Sequence, residues 1–586
     1  MTTTTQNDFF KSNILGHPAG LFVLFFTEMW ERFSFYGMRI LLVIFLTAAI
    51  GADNAGFGMP IEHAAAVYGT YAMLLYLTPI LGGLIADKFL GYRWAVVIGA
   101  FIMTLGHAAM AVETHFWVYV GLGLLVLGTG FFKPNMTSIL SEMYKDVPEK
   151  KDGAYTIFYM GVNAGAFFGM MLCGYLGEKI GWAYGFGLAG VFMLLGTLQF
   201  WLAKPLFGSI GDVPSKIETN QTNSPMDLTQ GDEDTKNPFT LLDKILIGFS
   251  SVMGLGYAIN DPMSKIANID VFSFANTDYL EGQYIMVLLA LMAFLYMVIS
   301  RISRYDKVVR DRMIAVIIFA FFTVFFWLSF EQGASSLVLF ARDSVDRTLV
   351  GEAATIFNVV NTLLTIIPLL IISYVLFMLG KQTWKIIPAS NVVLILTFLG
   401  VWCVALWMLN RDFNAATTEI PVSWFSILNS FFIIAFASSV SKWWESKYNP
   451  TAAVKYGLGL IIMAAGFGFL AFGAYGIEAG VKVSMVWLIL AYLFHTLGEL
   501  CLSPVGLSYV SKLVPARMIA FMFGMWYLAI AIGNKLAAVL GGQIENITNE
   551  YSLSTFFLIF TIVPTVAGIL IVFLNPLLKK LMHGVK

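Results

Sequence analysis

The chain has 586 residues, of which 58% are hydrophobic and 12% are charged, and its formal net charge is −1. Because a soluble domain carries about 25% charged residues, this composition excludes an ordinary globular core, and the charge balance gives no basic surface for nucleic acid. Cys173, Cys403 and Cys501 lie within apolar runs, without the spacing of a zinc site or a disulfide framework. We therefore expect no metal and no cofactor.

Apolar runs recur along the whole chain, and many reach the roughly 20 residues needed to span a bilayer. They lie near 19–48, 63–86, 94–112, 116–142, 153–177, 182–203, 240–260, 282–301, 313–338, 351–380, 386–409, 420–441, 455–475, 481–510, 518–545 and 553–578. The first run is too long for the core of a cleaved signal peptide. The pattern predicts an all-α integral membrane protein with about 16 membrane helices.

A polar segment divides the runs into six before it and ten after it. The segment 204–239 is rich in Asp, Thr, Asn and Ser, so it cannot bury a core and is typical of a cytoplasmic linker. We expect two helical bundles with extra elements in the second half. The predicted units are an N-terminal six-helix bundle at 1–203, the linker at 204–239, an inter-bundle hairpin at 240–312, the first helix of the C-terminal bundle and its outer loop at 313–350, an inserted hairpin at 351–415, and the other five helices of that bundle at 416–586.

The distribution of Lys and Arg predicts the orientation. If the N-terminus is cytoplasmic, most of these residues fall in cytoplasmic loops, the richest being RISRYDKVVRDR at 301–312, as the positive-inside rule requires. We expect a multi-pass protein of the cytoplasmic (inner) membrane with both termini in the cytoplasm.

Opposite charges recur at one depth in three predicted helices. Glu28, Glu31 and Arg32 lie about 10–17 Å into the first span at 1.5 Å per residue, and they share a helix face. Lys133 and Glu499 lie a similar distance from the cytoplasmic ends of their own spans. Charges inside a membrane usually face a bundle interior or a water-filled path, and a transport site lies between two repeats. The alternative is a static ion cluster that fixes helix register.

Three more charges lie within predicted spans. Arg39 is about 16 Å beyond Glu28 on the first helix, and Glu331 is near the outer end of the helix that starts at 313. These two could close the outer entrance as a salt bridge, or each could snorkel to the interface. Lys535 receives no functional role from the sequence.

Five motifs resemble those of the proton-dependent oligopeptide transporter family of the major facilitator superfamily. They are EMWERFSFYGMR (28–39), GTGFFKPN (128–135), FYMGVNAGA (158–166), FWLSFEQ (326–332) and GELCLSPVG (498–506). The loop GGLIADKFLGYR (82–93) resembles the superfamily's loop between helices 2 and 3. The resemblance implies the major facilitator fold, two six-helix bundles plus two extra hairpins, and import of di- and tripeptides driven by a proton gradient.

The resemblance also implies roles for single residues. Proton coupling would fall to Glu28, Glu31, Arg32, Lys133 and Glu331. The peptide carboxylate would meet Arg39 and Lys133, and its amino terminus would meet Glu499. Hydrogen bonds or side-chain pockets would come from Tyr36, Tyr76, Asn163, Trp327, Asn429, Ser503 and Trp526. Gating would involve Asp87 with Arg93, as a latch on the cytoplasmic side, and Arg39 with Glu331.

The sequence departs from the family pattern at two positions. Phe35 replaces a tyrosine of the first motif, which removes a hydroxyl from the implied peptide site, and Gly69 stands where animal members carry a histidine. Coupling would therefore rest on carboxylates. The pair of spans at 240–301 matches the hairpin of bacterial members, whereas the pair at 351–409 is an additional hairpin, with the basic connector GKQTWK (380–385) on the cytoplasmic side.

Other functions remain open at this stage. Relatives of this fold have diversified, so a proton-coupled or facilitative carrier of nitrate or another small organic solute is an alternative. An intramembrane enzyme would need a nucleophile with its base or a set of metal ligands, but His107 and His495 have no partner at ligand spacing. The sequence leaves the oligomeric state open. The partners we expect are the peptide, protons and the lipid bilayer.

Overall fold

The structure is a computed structural model that describes residues 13–213, 239–415, 417–444, 446–447, 449–477, 480–502, 506–514 and 516–585. Most of the predicted linker and Ser503 lie outside these ranges. We call the side of the membrane on which the described chain begins the near side and the other the far side.

Sixteen long helices, here numbered α1 to α16, form the described structure. They are α1 Ala19–Thr47, α2 Ile61–Ile85, α3 Tyr92–Met110, α4 His115–Met143, α5 Lys151–Lys179, α6 Trp182–Leu202, α7 Leu241–Ala267, α8 Gly282–Ile302, α9 Lys307–Phe330, α10 Glu352–Thr383, α11 Pro388–Phe413, α12 Val422–Trp444, α13 Ala452–Gly473, α14 Met485–Leu502, α15 Ala516–Gly541 and α16 Leu553–Phe573. Fifteen helical segments among the described residues are long and apolar enough to cross a membrane. The sixteenth helix, α1, has 29 residues and four charged side chains. The predicted membrane helices are thus confirmed.

Shorter elements occupy the connections. A π-type turn at Ala86–Leu90 extends α2, and short helices lie at Lys204–Phe207, Ser336–Asp343, Gly506–Leu513, Ile544–Glu550 and Asn575–Leu581. The described residues also form six two-residue strands: β1 Asn13–Ile14, β2 His17–Pro18, β3 Val345–Asp346, β4 Thr348–Leu349, β5 Thr418–Glu419 and β6 Val483–Ser484. β1 pairs with β2 and β4 pairs with β5 in antiparallel fashion, whereas β3 and β6 are parallel. These strands only tie loops together.

A stripe of glycines on α5 holds α1 in the centre of the N-terminal bundle. Gly161, Gly165 and Gly169 are four residues apart and face the backbone carbonyls of Phe25, Met29 and Phe33 so closely that an added Cβ would collide with them. Small residues at this spacing let membrane helices pack backbone to backbone. This close contact fixes the rotation of α1, and hence the direction of its charged residues.

The helices form two bundles. The first six pack on one another, with α1 against α5 and α6 and α3 against α4, while α9 and α12 to α16 form the second bundle. The bundles meet where α2 packs on α15 and where α5 packs on α12. This arrangement confirms the predicted fold.

The inter-bundle hairpin, α7 with α8, lies beside the α2–α15 contact. Its near-side part packs on the second bundle, because Val298 and Ile302 of α8 belong to the same hydrophobic core as residues of that bundle. Its far-side part packs on α2, because the Thr70 hydroxyl donates to the carbonyl of Ala258 over 2.7 Å. The hairpin therefore touches both bundles.

The inserted hairpin, α10 with α11, follows the first helix of the second bundle in sequence but packs mainly on the first bundle. Phe398 contacts the buried ring of Trp30, with centroids 5.3 Å apart, and the Ser390 hydroxyl donates over 2.8 Å to the carbonyl of Gln199 near the end of α6. The connector between α10 and α11 thus lies on the near side, as its basic sequence predicted.

The base of the inserted hairpin is closed by the strand pair β4–β5. Ile420 donates its backbone N–H to the carbonyl of Arg347 over 2.9 Å. The residues that flank the insertion are therefore neighbours in space, so the hairpin adds two spans without separating the helices on either side of it.

Candidate functional site

The charged residues of α1 form one buried cluster. Glu31 is fully buried, and Glu28 and Arg32 are 5% and 6% exposed. The Arg32 Nε lies 3.1 Å from an oxygen of Glu28 and also forms an ion pair with Glu31. One guanidinium thus holds two carboxylates, as the spacing along the helix predicted.

Arg39 closes the far side above this cluster. Its guanidinium forms an ion pair with Glu331 of the second bundle and donates over 2.9 Å to the Tyr68 hydroxyl. Tyr68 in turn donates to the same carboxylate of Glu331. The predicted Arg39–Glu331 bridge is present. Tyr68, which is fully buried, was missed because tyrosines are frequent in these helices and only the fold brings this one between the two charges.

Lys133 lies in a different environment from the arginines. Its Nζ is 4.8 Å from the centroid of the Tyr76 ring, and it makes no ion pair with the described residues. Tyr76 also lies beside Trp327 and Tyr527, with centroids 6.1 and 6.3 Å apart. Tyr76 and Trp327 are therefore neighbours, and Tyr527 is an addition that the sequence did not single out.

Glu499 is held by hydrogen bonds within the second bundle. Asn429 of α12 donates over 3.0 Å to Glu499 and lies 3.0 Å from the Thr496 hydroxyl. Glu499 is half-buried and has no cation within ion-pair distance among the described residues. A half-buried carboxylate without a cation is suited to receiving an ammonium group.

Three other predicted binding residues make contacts that do not by themselves indicate a ligand site. Asn163 is buried, and its amide donates over 3.0 Å to the carbonyl of Tyr159 one turn earlier. Trp526 is 3% exposed within the core of the second bundle, against Gly506. Tyr36 is half-buried, and its ring lies 5.7 Å from the Arg39 guanidinium. A role for these residues in peptide binding stays a prediction.

The predicted near-side latch is not formed between bundles. Asp87 is exposed, and Arg93 is buried with its guanidinium on Asp212 and on the carbonyl of Gly208, 2.7 Å away. These partners follow α6, so Arg93 is held within the first half of the chain. The latch stays a prediction for another conformation.

The polar contacts between bundles that we find among the described residues lie on the far side. Besides Arg39 and Glu331, they include Lys179 with Glu419 at 2.9 Å and the Glu178 carboxylate, which accepts the backbone N–H groups of Val422 and Ser423. The protein is therefore closed on the far side.

A model of the POT family matches residues 93–387 and 398–559. The peptide transporter YePEPT of Yersinia enterocolitica is 31% identical over 540 residues, which cover 90% of this chain and 88% of that protein. A di-/tripeptide transporter of Lactococcus lactis subsp. cremoris is 28% identical, with 98% of this chain and 99% of that protein covered. Among solved structures, a peptide transporter POT in complex with sulfate matches with a TM-score of 0.70 at 26% identity, over 99% of this chain and 100% of that one.

Proposed function

The chain belongs to the POT family, and from that premise we propose that it is a symporter that imports di- and tripeptides together with protons by alternating access. We also propose that the near side is the cytoplasm and that the membrane is the cytoplasmic (inner) one. The basic connector of the inserted hairpin on the near side supports this orientation under the positive-inside rule. The proton gradient would drive the import, and we expect no cofactor.

The single observation that carries the substrate proposal is the pair of opposite, unpaired charges on the two bundles. Lys133 of α4 and Glu499 of α14 have no ion-pair partner among the described residues. A zwitterion that leaves water needs both ends neutralised, because an unpaired buried charge is costly. Lys133 would receive the peptide carboxylate and Glu499 the amino terminus, with Tyr76 and Trp327 beside the side chains.

Arg39 is less available to the peptide than the sequence implied. Its guanidinium is occupied by Glu331 and Tyr68 in the far-closed state. A peptide carboxylate would therefore have to compete with Glu331 for Arg39. We propose that Arg39 acts mainly in gating, and that Lys133 acts first in binding.

The way in which Arg32 is shared by two carboxylates supports a role for this cluster in proton coupling. Protonation of Glu28 or Glu31 removes one of the two negative charges on Arg32 and leaves the other paired, so the proton changes the net charge of the cluster without stranding a buried arginine. The glycine stripe of α5 fixes the rotation of α1 and hence the direction in which the cluster points. The proton and the charged ends of the peptide would be bound at the same depth in the membrane.

The test is uptake of radiolabelled dialanine into proteoliposomes, with an inward proton gradient and with a protonophore. We expect labelled dialanine to accumulate inside the proteoliposomes. The protonophore should abolish this accumulation and unlabelled dipeptides should compete with it, whereas nitrate should not compete. Glu31→Gln should lose gradient-driven uptake but keep peptide counterflow, whereas Lys133→Ala should lose both. Lys204→Ala, at the near-side end of α6, is the control. Uptake that ignores the gradient would defeat symport, and competition by nitrate alone would favour the solute alternative.

A further inference from the structure

Lys535 of α15, which received no role from the sequence, lies in a buried ion cluster. Its side chain is 4% exposed and forms an ion pair with Asp261 of α7, which is fully buried. The Lys535 ammonium also donates over 3.0 Å to the Thr70 hydroxyl and over 3.4 Å to the carbonyl of Ala66, both on α2. The ring of Tyr257 lies 5.7 Å away.

Three separate parts of the fold meet at this cluster. Lys535 belongs to the second bundle, Thr70 to the first, and Asp261 to the inter-bundle hairpin. The helices α2 and α15 touch closely here, because a Cβ on Gly69 would meet the side chain of Ala538. The cluster therefore lies across the α2–α15 contact between the bundles, at the level of the far-side closure.

The hairpin holds Asp261 on the first bundle at this depth. Lys265, one turn after Asp261, lies 3.3 Å from the Glu62 carboxylate at the start of α2, and Thr70 bonds to Ala258. When the far side opens, α15 must move away from α2. Lys535 then loses its contacts on α2, and it loses Asp261 as well if that residue stays with the first bundle.

Asp261 already has a second cation partner, which belongs to its own helix. Lys265 lies 3.2 Å from its other carboxylate oxygen, while also contacting Glu62. Breaking a buried ion pair is costly mainly when it strands a charge. Here Asp261 keeps Lys265, and Lys535 gains water from the opened far side, so the pair can part and re-form without stranding either charge.

We propose that Asp261 and Lys535 form a second far-side lock, carried by the inter-bundle hairpin, which opens together with the Arg39–Glu331 pair during alternating access. The inference rests on the alternating access proposed above. It gives the inter-bundle hairpin a task beyond joining the two bundles. Both residues act as positioning residues that set the balance between far-closed and far-open states.

The experiment measures far-side opening by pulsed EPR on the full chain in nanodiscs. Spin labels are attached through Asp53→Cys, between α1 and α2, and Tyr551→Cys, between α15 and α16. Both positions are exposed on the far side. Cys403→Ser removes the exposed native thiol, since Cys173 and Cys501 are buried.

We expect Asp261→Asn and Lys535→Met each to raise the ratio of long to short distances by at least about fivefold, the lower end of typical coupling between sites. The double variant should give no larger a shift than the singles, because both remove one interaction. Lys244→Met, an exposed lysine at the near-side end of the same hairpin, is the matched control and should leave the ratio unchanged.

The double variant is also the control for misfolding, because it leaves no unpaired charge buried at this site. Unchanged distances in a folded double variant would overturn the lock. Because the distances are measured without transport, the outcomes separate the two proposals. Shifted distances with gradient-independent uptake would keep the lock and defeat symport, whereas unchanged distances with gradient-driven uptake would defeat the lock alone.

Discussion

Arg39 of α1 and Glu331 at the end of α9 form an ion pair that joins the two bundles on the far side, with the Tyr68 hydroxyl donating to the same carboxylate. Glu331 is 2% exposed. In such surroundings a carboxylate that loses its charge also loses its hold on the arginine. The charge of Glu331 therefore helps to hold the far side closed in this structure.

Glu331→Gln keeps the shape of the side chain but removes its charge. We expect gradient-driven dipeptide uptake to fall by at least about tenfold, equivalent to roughly 1.4 kcal/mol, while counterflow persists. Tyr68→Phe removes one hydrogen bond, so it should destabilise the far-closed state by about 1 kcal/mol or less. Glu545→Gln, an exposed carboxylate of the second bundle, is the control, and equal effects from it would contradict a specific role for Glu331.

The assignment of the peptide's amino terminus to Glu499 predicts a specificity change. Wild-type protein should bind dialanine at least about tenfold more tightly than N-acetyl-dialanine, since a charged partner is lost. In Glu499→Gln this ratio should shrink towards one, because there is no carboxylate left to sense the ammonium. Competition against a labelled dipeptide measures both affinities.

Asn429 tests how Glu499 is held. Asn429→Ala removes the hydrogen bond to Glu499 and should weaken dialanine binding by about fivefold, equivalent to roughly 1 kcal/mol. The preference for a free amino terminus should survive, because the carboxylate remains. Loss of that preference in Asn429→Ala, with Glu499 intact, would argue against the assignment.

The Lys179–Glu419 pair predicts a pH dependence of the stability of the folded protein. Burial by itself raises the pKa of Glu419, but the hydrogen bond from Lys179 and the charges of Lys179 and Arg347 outweigh it, so the pKa lies below its ordinary value. A carboxyl with a lowered pKa stabilises the folded state above its ordinary pKa and loses that contribution as the pH falls through the lowered value.

Glu419→Gln should therefore lower thermal stability at neutral pH and have no effect in acid, below the lowered pKa. Glu419 is half exposed, so the contribution is small, about 0.5 kcal/mol. Melting curves of the detergent-purified protein across pH measure it. A destabilisation that persists at low pH would show that packing, and not charge, is responsible.

The inserted hairpin should stabilise the first bundle. Phe398 fills the space beside the rings of Trp30 and Phe26, with centroids 5.3 and 5.5 Å apart. Phe398→Ala should lower the free energy of unfolding by about 3 kcal/mol, since the cavity loses its packing contacts. Leu399→Ala, at an exposed position on the same helix, should change it far less, and melting curves compare the two.

The sidedness of the inserted hairpin can be measured directly. In intact cells, the thiol of Lys381→Cys should resist a membrane-impermeant maleimide and react only after permeabilisation, because the connector lies on the near side. Asp278→Cys, in the exposed far-side connection between α7 and α8, should react from outside. Labelling of Lys381→Cys from outside would contradict a hairpin that spans the membrane.

The sequence by itself determined the number of membrane helices, the division into two bundles and the charged cluster of α1. These features follow from hydrophobic length and from spacings of three and four residues, which are local properties of the chain. The order of the motifs likewise indicated the family. Counting residues along two helices also places Arg39 and Glu331 near the outer face, which allows either a bridge or snorkelling, and the structure shows the bridge.

Only the tertiary structure decided which residues from distant helices meet. Lys535 had no interpretable partner in sequence, because Asp261 is 274 positions away and reaches it only when the inter-bundle hairpin packs beside α2. Asn163 and Trp526 fit family positions, yet rotation of their helices directs the first to its own backbone and buries the second. The inserted hairpin packs on the first bundle although its sequence neighbours belong to the second. Helix rotation and packing partner depend on close contacts between helices, which no local pattern records.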